Sequence, residues 1–282
     1  MLLISLLEQM DQGEGLGNQF FVRPELWASF QENWQLLVTT AHSPTFFLPF
    51  FHLRGDGFWT VFDGNGKEIK KVFSSFRQME AQQVFGMFSE EFFVQFISPE
   101  NRAIILGFLL EKYFPENQQA YLGKSQIPDQ LLSLHKSLLK EDVPAYKKEA
   151  TDEENFVRKG VFKKIIPRVY NFTCSISGMR VDSSFHTQMI DACHIVPFSR
   201  SHDDSISNGI ALCPNLHRAF DRGLISIDDQ YRVLVSDSFV ETESHPYALS
   251  NFKQKAIVLP FGKKYYPDPE KLAWHREHIF KR

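Results

Sequence analysis

Cysteine is scarce here: Cys174, Cys193 and Cys213 are the only three in 282 residues. With no secretory signal at the start, so few thiols exclude a disulfide framework and lead us to expect a reducing, cytoplasmic setting. Long apolar runs are also missing. The opening MLLISLLEQM is apolar, but it is too short for a bilayer span and lacks the flanks of a leader peptide. It reads as an amphipathic core helix, and no membrane partner is expected. No internal repeat or low-complexity tract is present, which excludes repeat arrays. Nor is there an excess of positive charge: 31 basic and 34 acidic residues leave a net of −3.

What the chain has is apolar and aromatic mass, 43% and 14% of its residues, enough for substantial cores. Its length has room for two domains and a connector. Charge divides along the same lines. Residues 1–125 carry nine basic and fourteen acidic side chains, 157–236 carry ten and seven, and 251–282 have a net of +5. Between Phe156 and Val181 lie six Lys or Arg and no acid. Local field governs approach to a phosphate backbone, so this run is read as a phosphate contact, with a solvated basic face as the alternative.

Periodicity and punctuation predict a helix over 1–10 and a second opened by Pro24. The stretch with Pro44, Pro49 and a run of Phe is expected to be extended, followed by a strand at Phe58–Phe62 and a hairpin turn at Asp63-Gly-Asn-Gly66. Helices should start at Ser89-Glu90-Glu91 and at Ser98-Pro99-Glu100, the second stopping before Pro115. The segment 126–156 is the expected helical linker. A helix over 157–168, a short strand at KAIVLP (255–260) and a terminal helix opened by Pro269 complete the reading.

One constellation organises the rest. In Asp191-Ala-Cys-His194-Ile-Val-Pro197 a histidine closes an apolar strand. Asn208 follows in a loop fourteen residues on, and His217 opens a helix nine residues later, in His217-Arg-Ala-Phe-Asp221. That arrangement resembles the ββα-metal nucleases.

From Arg168 to Ser236 the chain resembles the HNH endonucleases, through Tyr170, Cys174-Ser-Ile-Ser-Gly178, Ala192–Pro197, Asn208–Pro214 and His217–Ile225. The closing PDPEKLAWHREHIF is similar to that subgroup's usual ending. The opening Leu-rich helix, PFFHLRGDGFW (49–59) and FSEEFFVQFISPENRAIILGFLLEKYFP (88–115) resemble a domain often fused to it. The pairing looks like the phosphorothioated-DNA-binding restriction endonucleases. The resemblance implies an α+β chain: a mainly helical, sulfur-binding domain over 1–125 with a small hairpin, and an HNH nuclease domain over 157–282 with a C-terminal helix. It also implies restriction cleavage of double-stranded DNA near a phosphorothioate. Alternatives are an HNH nuclease reading methylated bases or plain sequence, and an inactive DNA-binding protein. The chain departs from the pattern twice. The Lys-Pro that precedes the Leu run in such domains is absent, so the chain is expected to start inside that helix. The two CxxC pairs that hold zinc in many HNH proteins are reduced to Cys174 and Cys213, so no structural zinc is expected and both should be buried thiols.

His194 is the expected general base, as a neutral imidazole suits that task near neutral pH. Asn208 should hold the facing loop and orient the imidazole through an amide hydrogen bond. His217 is the expected ligand of a divalent cation, Mg²⁺ or Mn²⁺. Many HNH proteins have Asp just before the base, where this chain has Cys193. Strand alternation puts Asp191 on Cys193's side, so Asp191 is the expected second ligand, with a structural role as the alternative. Asp221 is a further candidate, or else a helix-stabilising acceptor. Arg218 and Arg222, four apart on one helix face, and Arg180 are candidate phosphate contacts. For sulfur, a larger atom and a poorer acceptor than oxygen, an apolar cavity beside a cation is required. Tyr113, Phe114 and Pro115 at a helix end, and His52 and Arg54 before the hairpin, are the candidates. Core packing is the alternative for Tyr113 and Phe114. Cutting both strands with one site per chain implies a homodimer, at least on DNA.

Overall fold

Helix starts follow the proline and serine punctuation. The computed structural model describes the chain except residues 16, 74, 124–151, 182–188, 243–244 and 282, and gives backbone alone for 152–155 and 157. The described residues group into two units, one up to Val161 and the other from Phe162 onward.

In the first unit, α1 (Leu2–Asp11) buries Leu2, Ile4, Leu6, Leu7 and Met10. Pro24 takes the first turn of α2 (Pro24–Leu37), where a missing N–H costs nothing. Asn33 of α2 donates to Ser5 Oγ of α1 at 3.0 Å, so the polar groups between the two helices are paired. A three-stranded antiparallel sheet has the order β1 (Phe20–Phe21), β3 (Phe85–Phe88), β2 (Trp59–Phe62). Gly86 belongs there because a Cβ would lie 1.8 Å from the Trp59 ring. The segment expected to be extended is instead helical, as α3 (Phe47–His52) and a 3-10 turn (Leu53–Asp56). Pro49 falls within the first turn of α3, where its missing N–H has no intrahelical acceptor to lose, and the Phe side chains earn burial on a helix: Phe50 and Phe51 are fully buried. A short helix α4 (Phe76–Ala81) was not read from the sequence, nor were β1 and β3. Then α5 (Glu90–Ile97) and α6 (Pro99–Tyr113) follow, with Ser98 Oγ accepting from Asn101 N–H as a helix cap, and α7 (Gln118–Leu122).

The expected linker 126–156 lies outside the described residues as far as 151. From Asp152 the chain is already helical, in α8 (Asp152–Val169), so the helix expected over 157–168 starts earlier.

In the second unit, β4 (Asp191–His194) pairs antiparallel with β5 (Gly209–Leu212), with His194 opposite Gly209 and Asp191 opposite Leu212. Between them lies a long loop with two helical turns, α9 (Phe198–Ser201) and a 3-10 turn (Ile206–Asn208). Helix α10 (Pro214–Asp221) follows β5, opened by Pro214 at its first position. Strands β6 (Ile225–Ile227) and β7 (Val233–Val235) form a second hairpin, and α11 (Pro269–His278) is capped by Asp268. KAIVLP is not a strand: it contributes one isolated bridge, Ala256 to Arg232. Both units thus mix helices with small sheets, an α+β architecture. Among the described residues no helix is long and apolar enough to cross a membrane.

Candidate nuclease site

The β4–β5–α10 order puts three chemical groups on consecutive short elements. Side chains alternate along β4, so Asp191 and Cys193 turn toward α10 while His194 turns toward the β4–β5 loop.

The His194 ring is held on two sides. Phe162 of α8 stacks on it, with centroids 3.9 Å apart and planes 5° from parallel. Asp204, 1% exposed, sits with Oδ1 2.9 Å from His194 Nε2. Among the described residues Nδ1 has no hydrogen-bond partner. Asn208 does not touch this ring. Its Oδ1 accepts from Val196 N–H at 2.9 Å, and its Nδ2 donates to the carbonyls of Val196 (3.0 Å) and Asp203 (2.8 Å). The orienting bond expected from Asn208 is therefore corrected: its amide is used up closing the loop on the main chain, and a carboxylate four residues earlier faces the imidazole. Gly209 is packed under the same ring system. A Cβ there would come 2.2 Å from Ile166 Cδ1 and 3.1 Å from Phe162 Cε2.

The loop is itself fastened by α11. Lys271 Nζ lies 2.7 Å from Asp203 Oδ2 and donates to Ser205 Oγ (2.8 Å) and Ser207 Oγ (3.1 Å). Asp268 N–H donates to the Ser207 carbonyl at 2.9 Å. Burial works to raise the Asp203 carboxyl's pKa, but Lys271 and the Ser205 N–H and hydroxyl outweigh it and hold the group below its usual range.

On the α10 side, His217 Nδ1 is 3.1 Å from Asp191 Oδ2 and Nε2 is 3.4 Å from Asp221 Oδ2. The His217 pKa is raised, first by the hydrogen bond to Asp191 and then by the charges of Asp221 and Asp191, against the opposing pull of burial. Cys193 Sγ–H points at Asp221 Oδ1 across 3.7 Å, and burial, with Asp221's charge, pushes its thiol up. One ligand atom from each of Cys193, His217 and Asp221 lies within 4.8 Å of the others, the one such group among the described residues. The imidazole and the carboxylate fit a hard divalent cation, whereas the Cys193 thiol beside them is a donor for softer ions than Mg²⁺ or Mn²⁺.

Other sequence candidates fall elsewhere. Arg218 and Arg222 are exposed on and just after α10, and Arg180 is exposed where it bridges to Thr173. Cys174 is buried but Cys213 only half so, which corrects the expectation for the latter. Their shared hydrogen bond lowers the pKa of Cys174 and raises that of Cys213. In the first unit, Tyr113 is exposed and Phe114 half-buried, and both line an apolar cavity of about 380 Å³ with Met1, Leu3, Ile4 and Leu109. Pro115 and His52 are exposed. Arg54 does not reach that cavity's lining. Its Nε donates to the Phe51 carbonyl and its Nη1 to that of Ile69, both at 2.6 Å, so it clasps α3 to the chain beyond β2.

Asp204, Phe162 and Lys271 were missed by sequence reasoning. The one available signal was the pair Asp203-Asp204 inside the His194–Asn208 interval.

His194 closing one strand, a second strand paired with it, and His217 on the helix that follows make a ββα arrangement. Residues 174–228 match the family model of HNH endonucleases. Among solved structures the chain is similar to the modification-dependent restriction endonuclease TagI, at 24% identity and a TM-score of 0.32. The match covers 44% of this chain and 39% of that one, so the chain spans well under half of TagI. No curated protein matches the chain.

Proposed function

We propose that this chain is a metal-dependent endonuclease that recognises phosphorothioate-modified double-stranded DNA through its first unit and cuts nearby with its second. The observation that carries the nuclease reading is the division of β4. His194 faces one way with Nδ1 open, and Cys193 faces the other way into a cluster with His217 and Asp221.

In this reading His217 Nε2 and the Asp221 carboxylate would hold the cation, with the Cys193 thiol beside them. Asp191 then acts on His217 Nδ1, fixing the ring's orientation in the way a carboxylate backs a ligating histidine. That differs from the sequence expectation, which had Asp191 on the metal. A bound divalent cation, Mg²⁺ or Mn²⁺, supplies Lewis acidity toward the phosphate and the leaving oxygen. His194 Nδ1 takes the proton of the attacking water. Asn208 keeps the loop closed over that ring, and Arg218, Arg222 and Arg180 contact backbone phosphates.

The sulfur reading rests on the resemblance of the N-terminal segments and on the apolar cavity beside Tyr113 and Phe114. Such a cavity accommodates sulfur, whereas an ordinary phosphate oxygen loses hydration there without a replacement partner. Two copies acting on one duplex would cut both strands.

The test is cleavage of matched plasmids, with and without phosphorothioate linkages, in Mg²⁺ or Mn²⁺. Wild type should cut only the modified plasmid, and His194→Ala should cut neither. Equal cutting of both plasmids removes the sulfur reading, and undiminished cutting by His194→Ala removes the nuclease assignment.

A further inference from the structure

We infer that Asp204 is the positioning residue of the base: its carboxylate accepts the Nε2 proton of His194 and so commits the neutral ring to the tautomer whose Nδ1 is free to take a proton. The inference rests on the nuclease reading of His194, and it goes beyond the three motif residues.

The geometry is specific. A carboxylate only accepts, so the 2.9 Å contact between His194 Nε2 and Asp204 Oδ1 places the hydrogen on Nε2 and leaves Nδ1 unprotonated. Asp204 is 1% exposed. Burying a carboxylate is costly, and a ring N–H that becomes cationic is a charge-assisted partner that offsets part of that cost. The main chain on either side of Asp204 is pinned. Asp203 is held through its carbonyl by Asn208 and through its carboxylate by Lys271, and Ser205 N–H donates to Asp203 Oδ1 at 2.8 Å. Phe162 fixes the ring plane, and a half-turn of the imidazole would lose the contact of Nε2 with Asp204. A side chain that only filled space would need none of this fastening.

In the step itself a water O–H bond breaks and its proton goes to His194 Nδ1. The freed electron pair forms the bond to phosphorus. The P–O bond to the leaving 3′-oxygen breaks with its pair on that oxygen, which takes a proton from solvent. Asp204 keeps its charge throughout and stabilises the imidazolium, which then returns its proton to solvent.

Asp204→Asn is nearly isosteric, and its amide can present either an acceptor or a donor to Nε2. Long-range ¹H–¹⁵N spectra of the histidine rings, with His194→Ala to assign the signal, read the tautomer without any cutting. Wild type should show His194 protonated at Nε2 alone, and Asp204→Asn should show a mixture. Under saturating modified DNA, kcat should fall on the order of 10²-fold with KM unchanged. An Nε2-protonated ring in Asp204→Asn overturns the inference, whether kcat holds or falls, because a fall would then reflect structure alone. A mixed tautomer with kcat within twofold of wild type overturns it as well. A wild-type enzyme that cuts nothing sinks the nuclease reading instead, and the spectra still decide whether Asp204 sets the tautomer.

Discussion

Acid should loosen the carboxy-terminal unit through a single residue, His275 of α11. Its ring is 1% exposed and stacks on Phe220 with centroids 3.7 Å apart. Nε2–H donates to the Phe220 carbonyl at 3.1 Å, which leaves Nδ1 to accept from the Ser226 hydroxyl at 2.8 Å. Both nitrogens are thus satisfied by a neutral imidazole. Burial pushes the pKa down to about 4, with Arg276 adding to the fall and the Phe220 carbonyl opposing it. Because the folded pKa is depressed, the unfolded chain takes up the proton first as pH drops. The contribution is complete above the ordinary value near 6.5 and is lost as pH falls toward 4. The fall from about 6.5 to about 4 corresponds to roughly 3 kcal/mol, of which about 2 kcal/mol is already lost at pH 5. His217 has the opposite sign, since its raised pKa favours the folded state in acid. Comparison with His275→Gln, which can still donate to Phe220 but does not titrate, isolates the effect. The assay is amide exchange over β6, β7 and α11 at pH 7 and pH 5, corrected for intrinsic rates. Wild type should lose about 2 kcal/mol more protection than the variant. Equal losses would refute the reasoning.

Gly209→Ala should destabilise the second unit by about 1–3 kcal/mol in denaturant melts and slow cleavage. The new Cβ would drive into Ile166 and Phe162, the latter being the ring stacked on His194. An unchanged midpoint would show that the close approach does not constrain the unit. If Cys193 shares the cation with His217 and Asp221, adding Co²⁺ should produce a strong near-ultraviolet sulfur-to-cobalt absorption. EDTA or Cys193→Ser should abolish the band. Co²⁺ binding by calorimetry without that absorption takes the thiol out of the shell.

Much of the fold could be read locally, because local chemistry decides it. Pro24, the Ser98 cap before Pro99, and Pro269 behind Asp268 each mark a helix start that follows from which N–H groups need partners. Where tertiary packing decides, the local reading fell short. Proline and phenylalanine at 44–51 suggested an extended chain, yet burying Phe50 and Phe51 together favours a helix. β1 and β3 were invisible because a two-residue strand has no periodicity to detect, and Phe85-Gly-Met-Phe88 is a strand by virtue of its partners on both sides. KAIVLP has strand composition, but its main-chain bonds are divided between Tyr231–Val233 and Ser175, so no continuous ladder forms.

The site divides in the same way, and the division explains the motif's spacing. Fourteen residues from His194 to Asn208 are what it takes for the chain to leave β4, turn through α9 and come back so that Ile195 N–H meets the Asn208 carbonyl at 2.9 Å. A loop of that length closes only if its polar groups are answered. Asn208 answers those of Val196 and Asp203, while Lys271 answers Asp203, Ser205 and Ser207 from more than sixty residues away. Between those two anchors the one acid turned inward is Asp204, at the ring of His194. The asparagine that spacing singles out therefore acts on the loop, and the loop delivers the carboxylate to the His194 ring. Lys271 lies in a different part of the sequence, and Phe162 reaches the ring from α8, so no reading confined to residues 191–221 contains either. The terminal helix, which the sequence presents only as an ending, is on this geometry one wall of the loop that holds His194. It follows that weakening its grip at Lys271 disturbs His194 before it disturbs the β4–β5 pairing.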